Sequence, residues 1–262
     1  MRSRPEAATI AFVFLAIVAA AFFILPLIAL LVRAPWSHAL ADLSAPNVAE
    51  ALRLSLVCSL AAAALSAVFG IPLAWVYARI AFPGKSVVRA ITTLPLVLPP
   101  VVGGIALLVA FGRRGVFGES LDAIGVRLPF TTAGVIVAET FVALPFFVIT
   151  VEAALRSMDR RYEDAARTLG ASRARVLRTV TLPLIGPSIA AGLVLAWARA
   201  LGEFGATITF AGNFPGTTQT MPLAAYLALE TNIDSAVLLG LVLLAVSMTV
   251  LIALRDRFLG AA

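Results

Sequence analysis

Apolar residues come in six long runs, about 10–32, 54–77, 91–111, 132–151, 187–210 and 236–254, and the segments between them hold nearly all the charge. Each run is close to or beyond the roughly 20 residues that a helix needs to cross a hydrocarbon core about 30 Å thick. The pattern predicts an all-α polytopic membrane protein, six transmembrane helices in one domain spanning 1–262. The first run follows Arg2 and Arg4, and Ala39-Leu40-Ala41 resembles a cleavage site. Its apolar stretch exceeds the 7–15 residues of a signal sequence, so it reads as an uncleaved helix.

The connections set the orientation. With the N-terminus inside, inner segments hold 14 of the 20 basic residues and outer segments five, Arg33, Arg53, Arg113, Arg114 and Arg127, while Arg199 sits within the fifth run. The positive-inside bias therefore places both termini in the cytoplasm, N-in and C-in. Composition agrees: 61% of residues are hydrophobic and 13% charged, against about 25% charged in soluble domains. The net charge of +6 reads as a topology signal and membrane-lipid contact, not as a nucleic-acid footprint.

Two runs carry local features. The second holds Ala61-Ala62-Ala63-Ala64 and Ser66, small residues that let helices approach closely. The third opens on Leu94-Pro95-Leu96-Val97-Leu98-Pro99-Pro100 and continues through Gly103-Gly104. Broken helix at membrane depth is tolerated beside a water-lined cavity or under protein cover, so Pro99, Pro100 and Gly103 are candidates for the border of a pathway. The alternative is a helix that starts at Pro100 after a loop.

Catalytic equipment is missing. Gly84-Lys85-Ser86 lacks the glycine that a phosphate-binding loop needs five residues earlier, where Arg79 stands. A single histidine, His38, excludes HExxH, no GxSxG occurs, and Cys58 is the only cysteine. No catalytic residue, metal site or cofactor is expected in this chain, and a conduit needing energy must draw it from a partner.

The most informative segment is the inner loop, about 156–183. Its start is acidic, Glu163 and Asp164, as suits a helix N-terminus. Gly170 can end that helix, and Ala165, Ala166 and Leu169 share one face. A second helical stretch follows, with Val176, Leu177 and Val180 together. The spacing Asp164-Ala165-Ala166, then Gly170, then Val180, Leu182 and Pro183 resembles the EAA-x3-G-x9-I-x-LP motif of bacterial ABC importer permeases. Asp164 stands for the family's glutamate, with Glu163 beside it, and Val180 for isoleucine. The resemblance implies a type I importer permease fold and a coupling helix that docks into a separate ATPase subunit, which would hold ATP and Mg.

Phe82-Pro83-Gly84-Lys85, the proline-rich third segment, Gly112-Arg113-Arg114-Gly115 and Ala200-Leu201-Gly202-Glu203-Phe204-Gly205-Ala206-Thr207 narrow the resemblance to the molybdate permease family. Sulfate and thiosulfate permeases share related elements and are the alternative. The resemblance implies a homodimer in the bacterial cytoplasmic membrane, two ATPase subunits below, and a periplasmic or lipid-anchored molybdate-binding protein above.

In the fifth run, Arg199 lies about 18 Å from Pro187 along a helix, near mid-membrane. Glu203 at i+4 can neutralise it, so the two read either as pathway residues or as a pair that steadies the helix. Gly202 and Gly205 permit a break that would expose amides and the hydroxyls of Thr207 and Thr209 to a passing anion. Glu139 would repel a dianion and is expected to face protein or headgroups.

Overall fold

A computed structural model of the chain describes residues 7–39 and 43–258. Arg2, Arg4 and the Leu40-Ala41 part of the cleavage-like sequence lie outside them. The described chain is helical: α1 (Ala7–Arg33), α2 (Pro46–Arg79), α3 (Lys85–Thr93), α4 (Pro100–Phe111), α5 (Gly118–Ala123), α6 (Thr132–Ser157), α7 (Arg161–Thr168), α8 (Arg173–Leu184), α9 (Gly186–Leu201), α10 (Gly205–Phe210), α11 (Met221–Thr231) and α12 (Ile233–Phe258).

Among the described residues, four helices are long and apolar enough to cross a membrane, those beginning at Thr9, Pro46, Thr132 and Ile233; the number rises to six if each of two bent pairs counts as one span. The third apolar run is one of those pairs. Its prolines do not merely kink a helix: α3, a 3-10 turn at Leu94–Leu96 and α4 form an elbow of 117°. The α4 helix starts at Pro100, with Pro99 in extended conformation before it. Twelve residues of α-helix rise only about 18 Å, so α4 alone is shorter than the hydrocarbon core. The fifth run also departs from a straight helix, because α9 ends at Leu201 and α10 begins at Gly205.

The core is a three-helix stack of α2, α6 and α9. Small residues allow it: Ala62, Ala74, Ala143, Ala196 and Ala200 are buried there with Tyr77, Phe147, Val148, Val151 and Leu155. Phe147 of α6 fits between Gly70 of α2 and Gly192 of α9, which approach opposite edges of its ring. Ser66 is buried too, as the small-residue stretch implies. By contrast, α1 buries none of its most apolar window and packs against α12. A helix so uniformly apolar and so uncovered is suited to lipid contact.

The short α4 and α10 make their own layer against α6, around Leu107, Ala138, Val142, Ala206 and Phe210. At one end of the bundle, Ser55 of α2 accepts a hydrogen bond from the Met221 amide at the start of α11, 2.7 Å away. At the other end lie the C-termini of α2 and α6, together with α7 and α8.

Candidate coupling surface and pathway

The α7 helix is turned opposite to an ordinary surface helix. Arg160, Glu163, Asp164 and Arg167 share one side at 100° per residue, and Tyr162, Ala165, Ala166 and Leu169 share the other. The charged side lines a gap beside the end of α2, where Glu163 alone is buried and Arg160, Asp164 and Arg167 stay exposed. Glu163 is buried; its Oε1 accepts from Arg79 Nη2 at 3.1 Å and from Thr181 Oγ1 at 2.9 Å. Arg167 Nη2 lies 4.0 Å from Glu163 Oε2 and its Nη1 lies 3.5 Å from Asp164 Oδ1. The apolar side faces out: Tyr162 is 59% exposed and Leu169 89%. A helix that is anchored inward by one buried carboxylate and offers tyrosine and leucine outward is suited to being covered by something else.

Gly170 closes α7 in the left-handed region, φ +82°, and its amide bonds back to Arg167 O at 2.9 Å. Ser172 caps α8, its hydroxyl accepting from the Arg175 amide at 3.4 Å. Inside α8, Leu177–Thr181 forms a π-turn, where Thr181 reaches Glu163 and Val180 is half-buried. Leu182 packs against the three-helix core, and Pro183 is exposed. The motif residues thus come together at one end of the bundle. The carboxylate that ties α7 to the body is Glu163, while Asp164, at the motif position by spacing, remains mostly exposed.

Two anchors have no local signal in the sequence. Arg79, 84 residues before Glu163, ends α2 and ties it to α7. Glu152 of α6, buried, pairs with Arg156 Nη2 at 2.7 Å and with Arg89 Nε of α3 at 3.1 Å. Tyr77 Oη and Thr92 Oγ1, 2.6 Å apart, add a second clasp between α2 and α3. The elbow leading into α4 is therefore fastened to the same end of the bundle as α7.

The pathway candidates separate into two groups. Pro100, Gly205 and Thr209 meet where α4 crosses α10. A Cβ on Gly205 would stand 2.8 Å from Pro100 Cβ, and one on Gly104 would stand 2.6 Å from Thr209 Cβ and 2.8 Å from Ala206 O. Pro99 lies exposed at the mouth of the elbow, and Gly103 turns toward the Phe141 ring of α6. Arg199 and Glu203 form the second group, joined at 2.7 Å between Nη2 and Oε2. Glu203 is buried, whereas the Arg199 side chain keeps 27% of its surface.

The break between α9 and α10 follows from that carboxylate. Glu203 Oε1 accepts from the Ala206 amide at 2.9 Å, capping α10. Gly202 is exposed at the bend. Two of the donors expected to face a passing anion are engaged within the chain instead: the Ala206 amide by Glu203, and the Thr209 hydroxyl by Gly205 O at 2.8 Å. Thr207 is fully buried. Glu139 is buried inside α6, as expected of an acid facing protein.

A chain of apolar helices with broken spans and a short helix whose apolar side is uncovered suits the membrane component of a transporter. The chain belongs to the family described as the binding-protein-dependent transport system inner membrane component, which matches residues 66–260. It is a multi-pass inner-membrane protein.

Among relatives, it is 46% identical over 242 residues to the molybdenum transport system permease protein ModB of Mycobacterium tuberculosis, covering 92% of each chain. It is 49% identical over 183 residues to the ModB of Escherichia coli, covering 70% of this chain and 80% of that one. Identity to the sulfate transport system permease protein CysT of Salmonella typhimurium is 35% over 242 residues, 90% of this chain and 87% of that one. In fold it resembles a chain of a bacterial ABC transporter that imports the acidic polysaccharide alginate, with TM-score 0.75, 21% identity and coverage of 96% and 95%.

Proposed function

We propose that this chain is the permease subunit of an ATP-driven importer of molybdate, and of tungstate as a close analogue. The observation that carries the coupling is the inverted α7, apolar side outward, at the EAA-like spacing. Its natural cover is a cleft on a separate ATPase, which holds ATP and Mg and supplies the energy this chain lacks. Molybdate is favoured over sulfate by the higher identity to molybdenum permeases.

Two copies pair to enclose the pathway, two ATPase subunits attach at the α7 end, and a periplasmic or lipid-anchored binding protein delivers the anion at the opposite end. Both termini lie in the cytoplasm, as the distribution of basic residues favours. The four short or broken elements near the pathway, α4, α10 and the turns before them, allow opening without unfolding a long span. Molybdate and sulfate are tetrahedral dianions, and passage needs contacts weak enough for release. Arg199 suits this: Glu203 neutralises it, yet its guanidinium stays partly exposed, with donors beyond the one that meets Glu203.

The test is uptake of labelled molybdate in cells with and without the gene, with sulfate, thiosulfate and tungstate as competitors. Loss of an uptake that tungstate suppresses and sulfate barely touches is expected. Loss of sulfate uptake instead would assign the chain to sulfate, and uptake unaffected by deletion would refute both.

A further inference from the structure

A cavity of about 350 Å³ opens beside the coupling helix, between the end of α2 and the helices α7 and α8. Four guanidiniums line it, those of Arg79, Arg160, Arg167 and Arg173, against two carboxylates, Glu163 and Asp164. Both carboxylates are already taken, Glu163 by Arg79 and Asp164 by Arg167. Arg160 and Arg173 have no hydrogen-bond or ion-pair partner for their side chains among the described residues. Deeper in, Arg79 is itself nine-tenths buried, and its Nε has no acceptor although its Nη2 has one. A buried guanidinium nitrogen without an acceptor is costly unless something else supplies the oxygen.

The remaining walls are apolar: Trp75, Ile80, Val176 and Leu177. Trp75 lies four residues before Arg79, the depth at which aromatic side chains gather at a membrane interface. Basic pockets between transmembrane helices on the cytoplasmic side are suited to anionic head groups.

We propose that this cavity binds a single phosphate-bearing anion, held by Arg160 and Arg173 at the rim and by Arg79 Nε at the base. A phospholipid head group and free inorganic phosphate share that chemistry. The site goes beyond the transport reading, since it involves neither the pathway nor the anion carried. Bound there, the anion would stitch α2, α7 and α8 together and make the posture of the coupling helix depend on its surroundings.

The experiment uses the full chain, purified in neutral detergent. Native mass spectrometry measures retention of phosphatidylglycerol against phosphatidylcholine, and melting is followed with inorganic phosphate against chloride at equal ionic strength. An interfacial arginine contributes enough that each loss should weaken anion binding about fivefold. Arg173→Gln and Arg160→Gln should each show that drop, and the double variant about 25-fold. Arg178→Gln, exposed and outside the cavity, should show none.

Loss of selective phosphatidylglycerol retention in the double variant would assign the site to lipid. A phosphate-dependent rise in melting temperature that the double variant loses and Arg178→Gln keeps would assign it to the free anion. Equal behaviour of wild type and the double variant in both arms, or an equal loss in Arg178→Gln, would overturn the proposal. Arg173→Lys, which keeps the charge, should recover most of the binding and controls for misfolding.

Discussion

Removing the Glu163 carboxylate tests whether α7 is held as a rigid extension of α2. In Glu163→Ala, Arg79 would lose its ion-pair partner while remaining nine-tenths buried, and the Thr181 hydroxyl would lose its acceptor. Exposed ion pairs contribute about 0.2–1 kcal/mol, whereas breaking a buried one costs about 3–5 kcal/mol. The Arg79 side chain borders the adjoining cavity instead of lying in a closed core, which places the cost between these limits, at about 2–3 kcal/mol. That corresponds to amide exchange over residues 161–181 accelerating about 30- to 150-fold if opening of the segment limits exchange.

The assay is hydrogen exchange by mass spectrometry on the full chain in lipid nanodiscs. Asp164→Asn is the contrast: its side chain is 67% exposed and meets Arg167 only at 3.5 Å, so its effect on exchange should stay below about 0.5 kcal/mol. Adding Arg79→Ala to Glu163→Ala removes the orphaned charge and should recover at least half of the loss. Exchange in Glu163→Ala no faster than in Asp164→Asn, or strict additivity with Arg79→Ala, would refute the anchor.

Other substitutions probe the remaining elements. Gly170 has nothing within 4 Å of an added Cβ but sits at φ +82°, so its substitutions should rank by backbone strain alone: Asn mild, Ala intermediate, Val worst by about 1–2 kcal/mol. Uptake should follow that order, and equal uptake in Gly170→Val and wild type would count against it. Gly104→Ala drives a methyl into the Ala206 backbone and should cost about 1–3 kcal/mol in thermal stability, whereas Gly103→Ala meets the Phe141 ring edge at 3.0 Å, which can tilt away, and should cost less. Arg199→Ala leaves Glu203 buried and unpaired and should lower stability by about 3 kcal/mol or more. Arg199→Ala with Glu203→Gln should regain much of that in a melting assay; no recovery would mean that Arg199 acts apart from the pair.

Composition and run length made the apolar helices readable, because a bilayer imposes a length that ordinary cores do not. They could not show that the 91–111 run is an elbow, since hydropathy records how greasy a segment is and not where its backbone turns. The three prolines were the available signal for the bend. The EAA-like spacing singled out the α7–α8 segment, and a helical wheel puts both Glu163 and Asp164 with Arg160 and Arg167, so it did not tell which of the two carboxylates turns inward. Nothing local identifies Arg79 or the Arg89–Glu152 clasp, whose partners are brought together only by the packing of α2, α3 and α6. The Glu203 cap was half readable: an acid before a short helix after glycine suits an N-terminus, but the run looked continuous.

The α2 helix has a mechanical meaning. Ser55, which holds the first amide of α11, and Arg79, which holds α7, stand 24 positions apart, about 36 Å of unbroken rod. A tilt of about 5° pivoting at one contact would displace the other by about 3 Å along that length. Pro72, the one proline inside this helix beyond its first turn, stands two turns from Arg79, where its missing amide makes the rod easiest to flex. Most of the shaft therefore behaves as a beam with its compliant joint near the α7 end. Loosening that joint would let α7 rock while the far end stood still, and stiffening it would bind the two ends to a single movement.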